Sequence, residues 1–177
     1  MNIVKDVISE DLCRKCNAEI DEMIEGEKWS VSNINWDKSL RQGYTGTCLA
    51  AKVSPSIKLK VLSAIQKHLP KVQQDKYYLQ YHYWLHGSGI QWHNDETYKF
   101  GATLYLNPWN KRWGGLFLWE NDEGIHGEMP EPRKLVVVEK DPHSVTPILS
   151  HAPYPRRAIQ IWGCLLYTSD AADDAGS

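Results

Sequence analysis

The sequence lacks a long apolar run and an excess of charge of either sign. No segment of its 177 residues is apolar for long enough to cross a bilayer as a helix. Residues 1–6 do not show the basic and apolar pattern of a secretory signal, so we expect a cytoplasmic protein with no membrane partner. A net charge of −2 gives no electrostatic reason to expect a nucleic-acid partner.

Cysteine and phenylalanine are also scarce. The four cysteines (Cys13, Cys16, Cys48 and Cys164) show no disulfide-framework spacing, which is typical of a reducing compartment. Cys13 and Cys16 have the spacing of a metal or redox pair, but because no second pair exists we interpret them as small residues on a packed helix. The sequence has only two Phe but eight Trp and nine Tyr. Such amphipathic aromatics suit a ligand-lined cavity or an ordinary half-buried core.

The first part of the chain predicts two amphipathic helices. Ser9 can cap a helix that runs to about Glu25. Ser54 and Pro55 open a second helix, which stops before Pro70. The segment between them, residues 26–53, is irregular in pattern and could be a substrate-side flap or a covering segment.

From Tyr77 onward the pattern changes to short segments that are rich in aromatic and β-branched residues. They are separated by Gly, Pro, Asn or Asp and span residues 77–84, 100–106, 116–119, 135–139, 145–149 and 157–162. We predict an α+β, mainly β fold: a double-stranded β-helix (jelly roll) with a central cavity and the N-terminal helices packed on one sheet. Residues 120–133 are expected to form a long exposed loop.

We expect one domain over residues 1–163, with a helical part at 1–76 and a jelly-roll core at 77–163. Residues 164–177 look like translated sequencing adapter, so we treat them as a non-native tail.

The segment around His93 predicts a metal site. His93 and Asp95 are two residues apart, so an extended backbone directs both side chains to the same side. His143 is the best candidate for a third ligand. Two imidazoles and one carboxylate with open positions are the pattern of non-haem iron(II) sites. We therefore predict His93, Asp95 and His143 as the metal ligands and catalytic residues.

A pair of arginines opens the last predicted strand. Arg156 shares one face with Ala158, Gln160 and Trp162, and this mixed face should line the cavity. Arg157 shares the other face with Ile159 and Ile161 and should reach solvent. Because arginine presents a planar fork of donors and a permanent charge, Arg156 is suited to bind a buried carboxylate.

This order of parts resembles the Fe(II)- and 2-oxoglutarate-dependent dioxygenases, particularly the prolyl 4-hydroxylase-like branch, in which an Arg stands six residues before a Trp. The resemblance implies that Arg156 and Tyr105 bind the far carboxylate of 2-oxoglutarate and that Tyr83 lies beside the metal and co-substrate. The alternative for both tyrosines is a core position with a locally satisfied hydroxyl. Arg156 follows His143 by thirteen residues, more than is usual in the family. A lengthened turn of this kind costs little free energy.

The resemblance implies hydroxylation of a substrate C–H bond with Fe(2+), 2-oxoglutarate and O2, and with release of succinate and CO2. Ascorbate is a further candidate cofactor. The leading substrate is peptidyl proline in a protein or peptide, with a small molecule as the alternative. A cupin-like metal- or sugar-binding module without oxygenase activity is the competing class, although it has no use for an arginine clamp. The sequence does not predict the oligomeric state.

Overall fold

Two antiparallel sheets and two helices build the part of the protein that the structure describes. The computed structural model describes residues 1–31, 42–72, 77–95 and 98–164. The two sheets face each other, and both helices pack on the outer face of the larger sheet. This is the predicted double-stranded β-helix, which is α+β and mainly β.

Twelve strands lie within the described residues. In chain order they are β1 (Asn2–Val4), β2 (Ser30–Val31), β3 (Tyr44–Thr45), β4 (Cys48–Lys52), β5 (Tyr77–Trp84), β6 (Gly89–His93), β7 (Tyr98–Tyr105), β8 (Phe117–Asn121), β9 (Gly124–Glu128), β10 (Leu135–Val138), β11 (His143–Val145) and β12 (Arg156–Cys164). The larger sheet has the order β1-β10-β7-β12-β5-β4-β2 and the smaller sheet the order β3-β6-β11-β8-β9.

Both helices begin where the capping residues predict. The hydroxyl of Ser9 accepts a hydrogen bond from the backbone N–H of Leu12, and α1 spans Glu10–Glu25. The hydroxyl of Ser54 accepts from the N–H of Ile57, and α2 spans Pro55–Ile65 with a 3-10 turn after it. In each case a side-chain oxygen satisfies an N–H that has no partner within the helix. No helix of the described part of the chain could span a membrane.

The main apolar core lies between the helices and the larger sheet. Its buried members include one apolar stripe from each helix and the alternate residues of three central strands: Leu12, Cys16, Ile20, Ile57, Val61, Ile65, Leu79, Tyr81, Phe100, Leu104, Ile159 and Ile161. Cys13 and Cys16 are buried in this core as free thiols, and burial raises the pKa of Cys16 to about 12. A protonated buried thiol is unreactive, which confirms the structural interpretation of this pair.

Residues 26–53 are more regular than predicted. They contain β2, β3 and β4, and β4 pairs with β5 in the larger sheet. The sequence Cys48-Leu49-Ala50-Ala51 lacks the β-branched and aromatic residues that mark strands, so the pattern gave no signal. Residues 32–41 of this segment lie outside the described residues. Since residues 1–76 also supply β1, the part expected to be helical contributes strands to both sheets.

Two further expectations about strands are wrong. Residues 120–133 contain most of a hairpin of β8 and β9, in which Phe117 pairs with Glu128. Its outer strand is a sheet edge with many exposed residues, and this polar composition gave the appearance of a loop. The strand expected at 145–149 is instead β11, which ends at Val145 before Pro147. The tail expectation falls on residues 165–177, outside the described residues, apart from Cys164 at the end of β12.

Candidate metal centre and carboxylate pocket

The three predicted metal ligands meet on the inner side of the smaller sheet. His143 of β11 is the cross-strand partner of His93 in β6, and their ring centroids are 4.2 Å apart. The Nε2 atom of His143 is 4.0 Å from an Oδ2 of Asp95. One ligand atom from each of the three side chains lies within 4.8 Å of the others. Two imidazoles and a carboxylate at this spacing can hold one metal ion.

Backbone carbonyl groups orient both imidazoles. Nδ1 of His93 donates to the carbonyl oxygen of Gln91 at 2.8 Å, and Nδ1 of His143 donates to that of Asp141 at 2.9 Å. Because a carbonyl oxygen only accepts, each Nδ1 carries the proton and each Nε2 keeps its lone pair. This arrangement is the usual outer support of metal-binding histidines.

A glycine makes room for the carboxylate of Asp95. A Cβ atom added to Gly101 of β7 would collide with Oδ2 of Asp95. The N–H of Tyr98 donates to the backbone carbonyl of Asp95 at 2.9 Å, which connects the start of β7 to the residue that carries the carboxylate. Gly101 of the larger sheet therefore leaves the space that the Asp95 carboxylate occupies, while the smaller sheet carries both histidines.

Arg156 lies in the space between the sheets, on the face that alternation predicts. It is 2% exposed, and its Nη1 donates to the carbonyl oxygen of Gly115 at 2.5 Å. The guanidinium carbon lies 4.8 Å from the ring centroid of Trp84 and 5.8 Å from that of Tyr105. Nε has no hydrogen-bond partner, and within the described ranges no acidic side chain forms an ion pair with this arginine.

A buried cation without an acidic partner favours an anionic ligand. Burial lowers the pKa of Arg156, but arginine stays charged at any physiological pH. Leaving such a charge uncompensated in a low-dielectric interior costs free energy, which a bound carboxylate would offset. The residues present therefore fit a ligand that carries a carboxylate.

Tyr105 faces the same space as Arg156. It is 1% exposed and packs with Phe117, Val136 and Ala158 between the sheets. Burial raises the pKa of Tyr105 to about 12, so its hydroxyl remains protonated and can donate a hydrogen bond. Strand alternation accounts for this position, because the apolar residues of β7, among them Phe100 and Leu104, face the helices instead.

Tyr83 and Arg157 lie on the opposite side of the larger sheet. The ring of Tyr83 is 5.7 Å from that of Trp29 and 5.7 Å from the guanidinium carbon of Arg157. Arg157 is 20% exposed and forms an ion pair with Asp21 of α1 at 2.7 Å. The expectation that Tyr83 lies beside the metal is therefore wrong, and Arg157 packs against a helix instead of extending into solvent.

Alternation along β5 explains the error at Tyr83. The resemblance places Tyr83 beside the metal without regard to strand pairing, whereas the register with β12 makes Tyr83 the neighbour of Arg157, on the helix face. The residues of β5 that face the cavity are Trp84 and His82, which sequence reasoning missed. Pairing the strand of Arg156 with that of Tyr83 would have found them, since Trp84 is the cross-strand partner of Arg156.

Three aromatic rings border the metal centre at the other end of β12. We call Tyr78, Tyr98 and Trp162 the aromatic platform. The ring centroid of Trp162 is 5.6 Å from that of Tyr78 and 5.7 Å from that of Tyr98. Trp162 is also the cross-strand partner of Gly101, the residue beneath the Asp95 carboxylate. The platform thus lies near the metal centre, six residues along β12 from Arg156.

Solved structures of similar fold include prolyl hydroxylases. A prolyl 4-hydroxylase from Pseudomonas putida has 17% identity and a TM-score of 0.69, with coverage of 93% of this chain and 92% of that one. A prolyl hydroxylase from Trichoplax adhaerens, in complex with a hypoxia inducible factor peptide fragment, has 16% identity and a TM-score of 0.69, with coverage of 92% and 82%. The viral collagen prolyl hydroxylase of Paramecium Bursaria Chlorella virus-1, in complex with 2-oxoglutarate, has 14% identity and a TM-score of 0.61, with coverage of 91% and 93%.

The sequence comparison identifies the family. No curated protein matches the sequence. Residues 78–163 match the family model of the 2OG-Fe(II) oxygenase superfamily. The matched range contains the three convergent ligands, the buried Arg156 and Tyr105. Residues 78–163 therefore place this part of the chain in the 2OG-Fe(II) oxygenase superfamily, an enzyme family that uses Fe(2+), 2-oxoglutarate and O2.

Proposed function

We propose that this oxygenase hydroxylates a C–H bond of a peptide substrate, with His93, Asp95 and His143 as the iron ligands and Arg156 as the anchor of 2-oxoglutarate. One observation carries the proposal. A buried guanidinium without an acidic partner among the described residues faces the same cavity as three converging metal ligands. A cupin-like binding module needs the histidines but has no role for this cation, so it is not favoured.

The residues divide the binding of the diacid between two ends. Two neutral imidazoles and one carboxylate would leave a divalent ion with one net positive charge, which favours chelation by the anionic 2-oxo acid end. Arg156 would bind the far carboxylate through its fork of donors, and the protonated hydroxyl of Tyr105 would donate to the same group. Iron(II), when bound, supplies the activation of O2. The overall reaction places one oxygen atom in the substrate and one in succinate, with loss of CO2.

The protein contributes orientation and exclusion of water. Arg156, Tyr105 and His143 are all buried, so the co-substrate would be held in a site of low dielectric where each hydrogen bond is stronger than in water. Holding the diacid at both ends fixes its 2-oxo group relative to the metal ligands.

Peptidyl proline is the substrate that we propose. The prolyl hydroxylases of similar fold support it, one of them being a complex with a peptide. The aromatic platform gives independent support, since its ring faces lie near the metal ligands and could pack against the apolar face of a pyrrolidine ring. We also retain the prediction of a cytoplasmic enzyme, which the three buried free cysteines of the described residues support.

Anaerobic titration tests the proposal. Protein loaded with iron(II) should gain a visible absorption band on addition of 2-oxoglutarate, and His93→Ala and Arg156→Ala should each abolish or strongly weaken it. Arg157→Ala is the matched control, because this arginine is the next residue but faces the helix, and its band should persist. Aerobic incubation with proline-containing peptides should then yield succinate and a peptide heavier by one oxygen atom. Absence of the band in folded wild-type protein would reject the oxygenase proposal.

A further inference from the structure

Ala158 of β12 lies between two polar side chains that face the cavity. Its cross-strand partner in β7 is Tyr105, and its partner in β5 is His82. These two residues are therefore two strand spacings apart, about 10 Å between their Cα atoms. Arg156 precedes Ala158 by two residues on the same face, which places it diagonal to both Tyr105 and His82.

The imidazole of His82 is part of the cavity wall. It is 2% exposed, and its ring centroid is 6.2 Å from that of Trp84 and 5.7 Å from that of Trp162. Trp84 in turn covers the guanidinium of Arg156. Burial, together with the positive charge of Arg156, lowers the pKa of His82 to about 3. His82 is therefore neutral near pH 7, so it carries one ring N–H and adds no second buried charge.

The cross-strand neighbours of His82 do not obstruct the space in front of the sheet with large side chains. Its partners on the two adjacent strands are Ala50 and Ala158, which are small. A carboxylate between His82 and Tyr105 has about four acceptor positions, enough for a guanidinium, a phenol and an imidazole N–H together. The three donors would reach the carboxylate from different directions, since they stand on adjacent strands of one sheet.

We propose that His82 is a third binding residue for the far carboxylate of 2-oxoglutarate, which it holds together with Arg156 and Tyr105. This inference rests on the proposed function, because it takes 2-oxoglutarate as the ligand. It predicts that His82 acts on one end of the co-substrate and not on the metal-binding end.

Two ligands that differ only in the far carboxylate separate binding of that group from binding at the metal. Protein loaded with manganese(II) is titrated calorimetrically with 2-oxoglutarate and with 2-oxopentanoate, the five-carbon 2-oxo acid that lacks the far carboxylate. His82→Phe, which keeps a ring but has no N–H, should weaken 2-oxoglutarate binding by about tenfold or more. The same variant should leave 2-oxopentanoate binding within about twofold of wild type, since the lost bond is to the missing group.

Two further variants complete the test. His82→Gln keeps a neutral N–H donor and should recover most of the affinity for 2-oxoglutarate. His151→Gln is the matched control, because this histidine is exposed and bonds the backbone of Arg112 outside the pocket, and it should bind both acids as wild type does. If His82→Phe does not fold, His82→Leu replaces it with the same pair of ligands.

The outcomes separate this inference from the proposed function. Equal weakening of both acids would mean that His82 only shapes the pocket, and unchanged binding of both would mean that it makes no contact. Either result overturns the inference while wild-type binding of 2-oxoglutarate leaves the proposed function standing. Failure of folded, manganese-loaded wild-type protein to bind 2-oxoglutarate would overturn both.

Discussion

The carboxylate of Asp95 lies directly over Gly101, and no side chain fits between them. The two residues belong to different parts of the fold, since Asp95 follows β6 of the smaller sheet and Gly101 is in β7 of the larger one. Because a Cβ at position 101 would meet Oδ2, the position of the proposed metal-binding carboxylate depends on the absence of that atom. Glycine is needed here for space, not for an unusual backbone conformation.

Gly101→Ala should therefore lower metal affinity. The added methyl group displaces the Asp95 carboxylate from the two imidazoles, and loss of ligand support of this kind costs about ten- to a hundredfold in metal affinity. Manganese(II) binding measured by calorimetry checks the prediction. Gly127→Ala in the exposed strand β9 is the control, since its Cβ would meet only the flexible end of Leu118. Equal affinity of Gly101→Ala and wild type would contradict the steric argument.

Substitution of Arg156 should have opposite effects on ligand binding and on the stability of the ligand-free protein. Replacing it by Met removes a buried cation that lacks an acidic partner in the described structure, so ligand-free protein should be as stable as wild type or more stable, by about 1–3 kcal/mol. The same variant should lose 2-oxoglutarate binding. Urea denaturation of the metal-free protein and calorimetric titration of the manganese form measure the two effects. A large loss of stability in Arg156→Met would mean that the guanidinium serves the fold.

The parts of this site that the sequence predicts are those that depend on local alternation. His93 and Asp95 share a side of one extended segment, and the inward face of Arg156 follows from the isoleucines next to it in β12. The expected place of Tyr83 is wrong because it comes from the family resemblance alone, whereas the side to which each residue of β5 points depends on the pairing of β5 with β12. His82 could be found only by pairing β5 with β12, and Gly101 could not be recognised, since its role arises from the contact with Asp95 between the two sheets.

The fold shows the same limit. The helices and the central strands have strong periodic patterns, and these were predicted. The strands β1, β3 and β4 were not, because they are short or lack β-branched residues and are held by pairing with partners distant in sequence. The hairpin of β8 and β9 was not predicted, because its polar, solvent-facing composition is typical of a loop.

The stability of the ligand-free protein should decrease in acid through His82. Burial and Arg156 lower the pKa of His82 from 6.5 to about 3, so between these values the unfolded chain binds a proton that the folded protein does not. Stability from this group is complete above pH 6.5 and is lost as the pH falls towards 3, with a slope of up to about 1.4 kcal/mol per pH unit. Urea denaturation of wild type and His82→Gln from pH 7 to 4 should give a shallower slope for the variant. Identical slopes would show that this histidine does not titrate on unfolding.

Glu19 should be a major support of the helical layer. Its carboxylate accepts hydrogen bonds from the N–H and hydroxyl of Ser54, at 2.9 and 3.0 Å, and from the hydroxyl of Tyr81 at 3.0 Å. One residue of α1 thus connects the start of α2 to the centre of β5.

Glu19→Ala leaves these donors without an acceptor, so we expect a loss of about 2–4 kcal/mol in the free energy of unfolding. Glu22→Ala on an exposed part of α1 is the control and should change stability by less than about 0.5 kcal/mol. Because these contacts lie on the helix side of the larger sheet, folded Glu19→Ala should bind 2-oxoglutarate as wild type does, and a weakened affinity would show that the helical layer positions Arg156 and Tyr105.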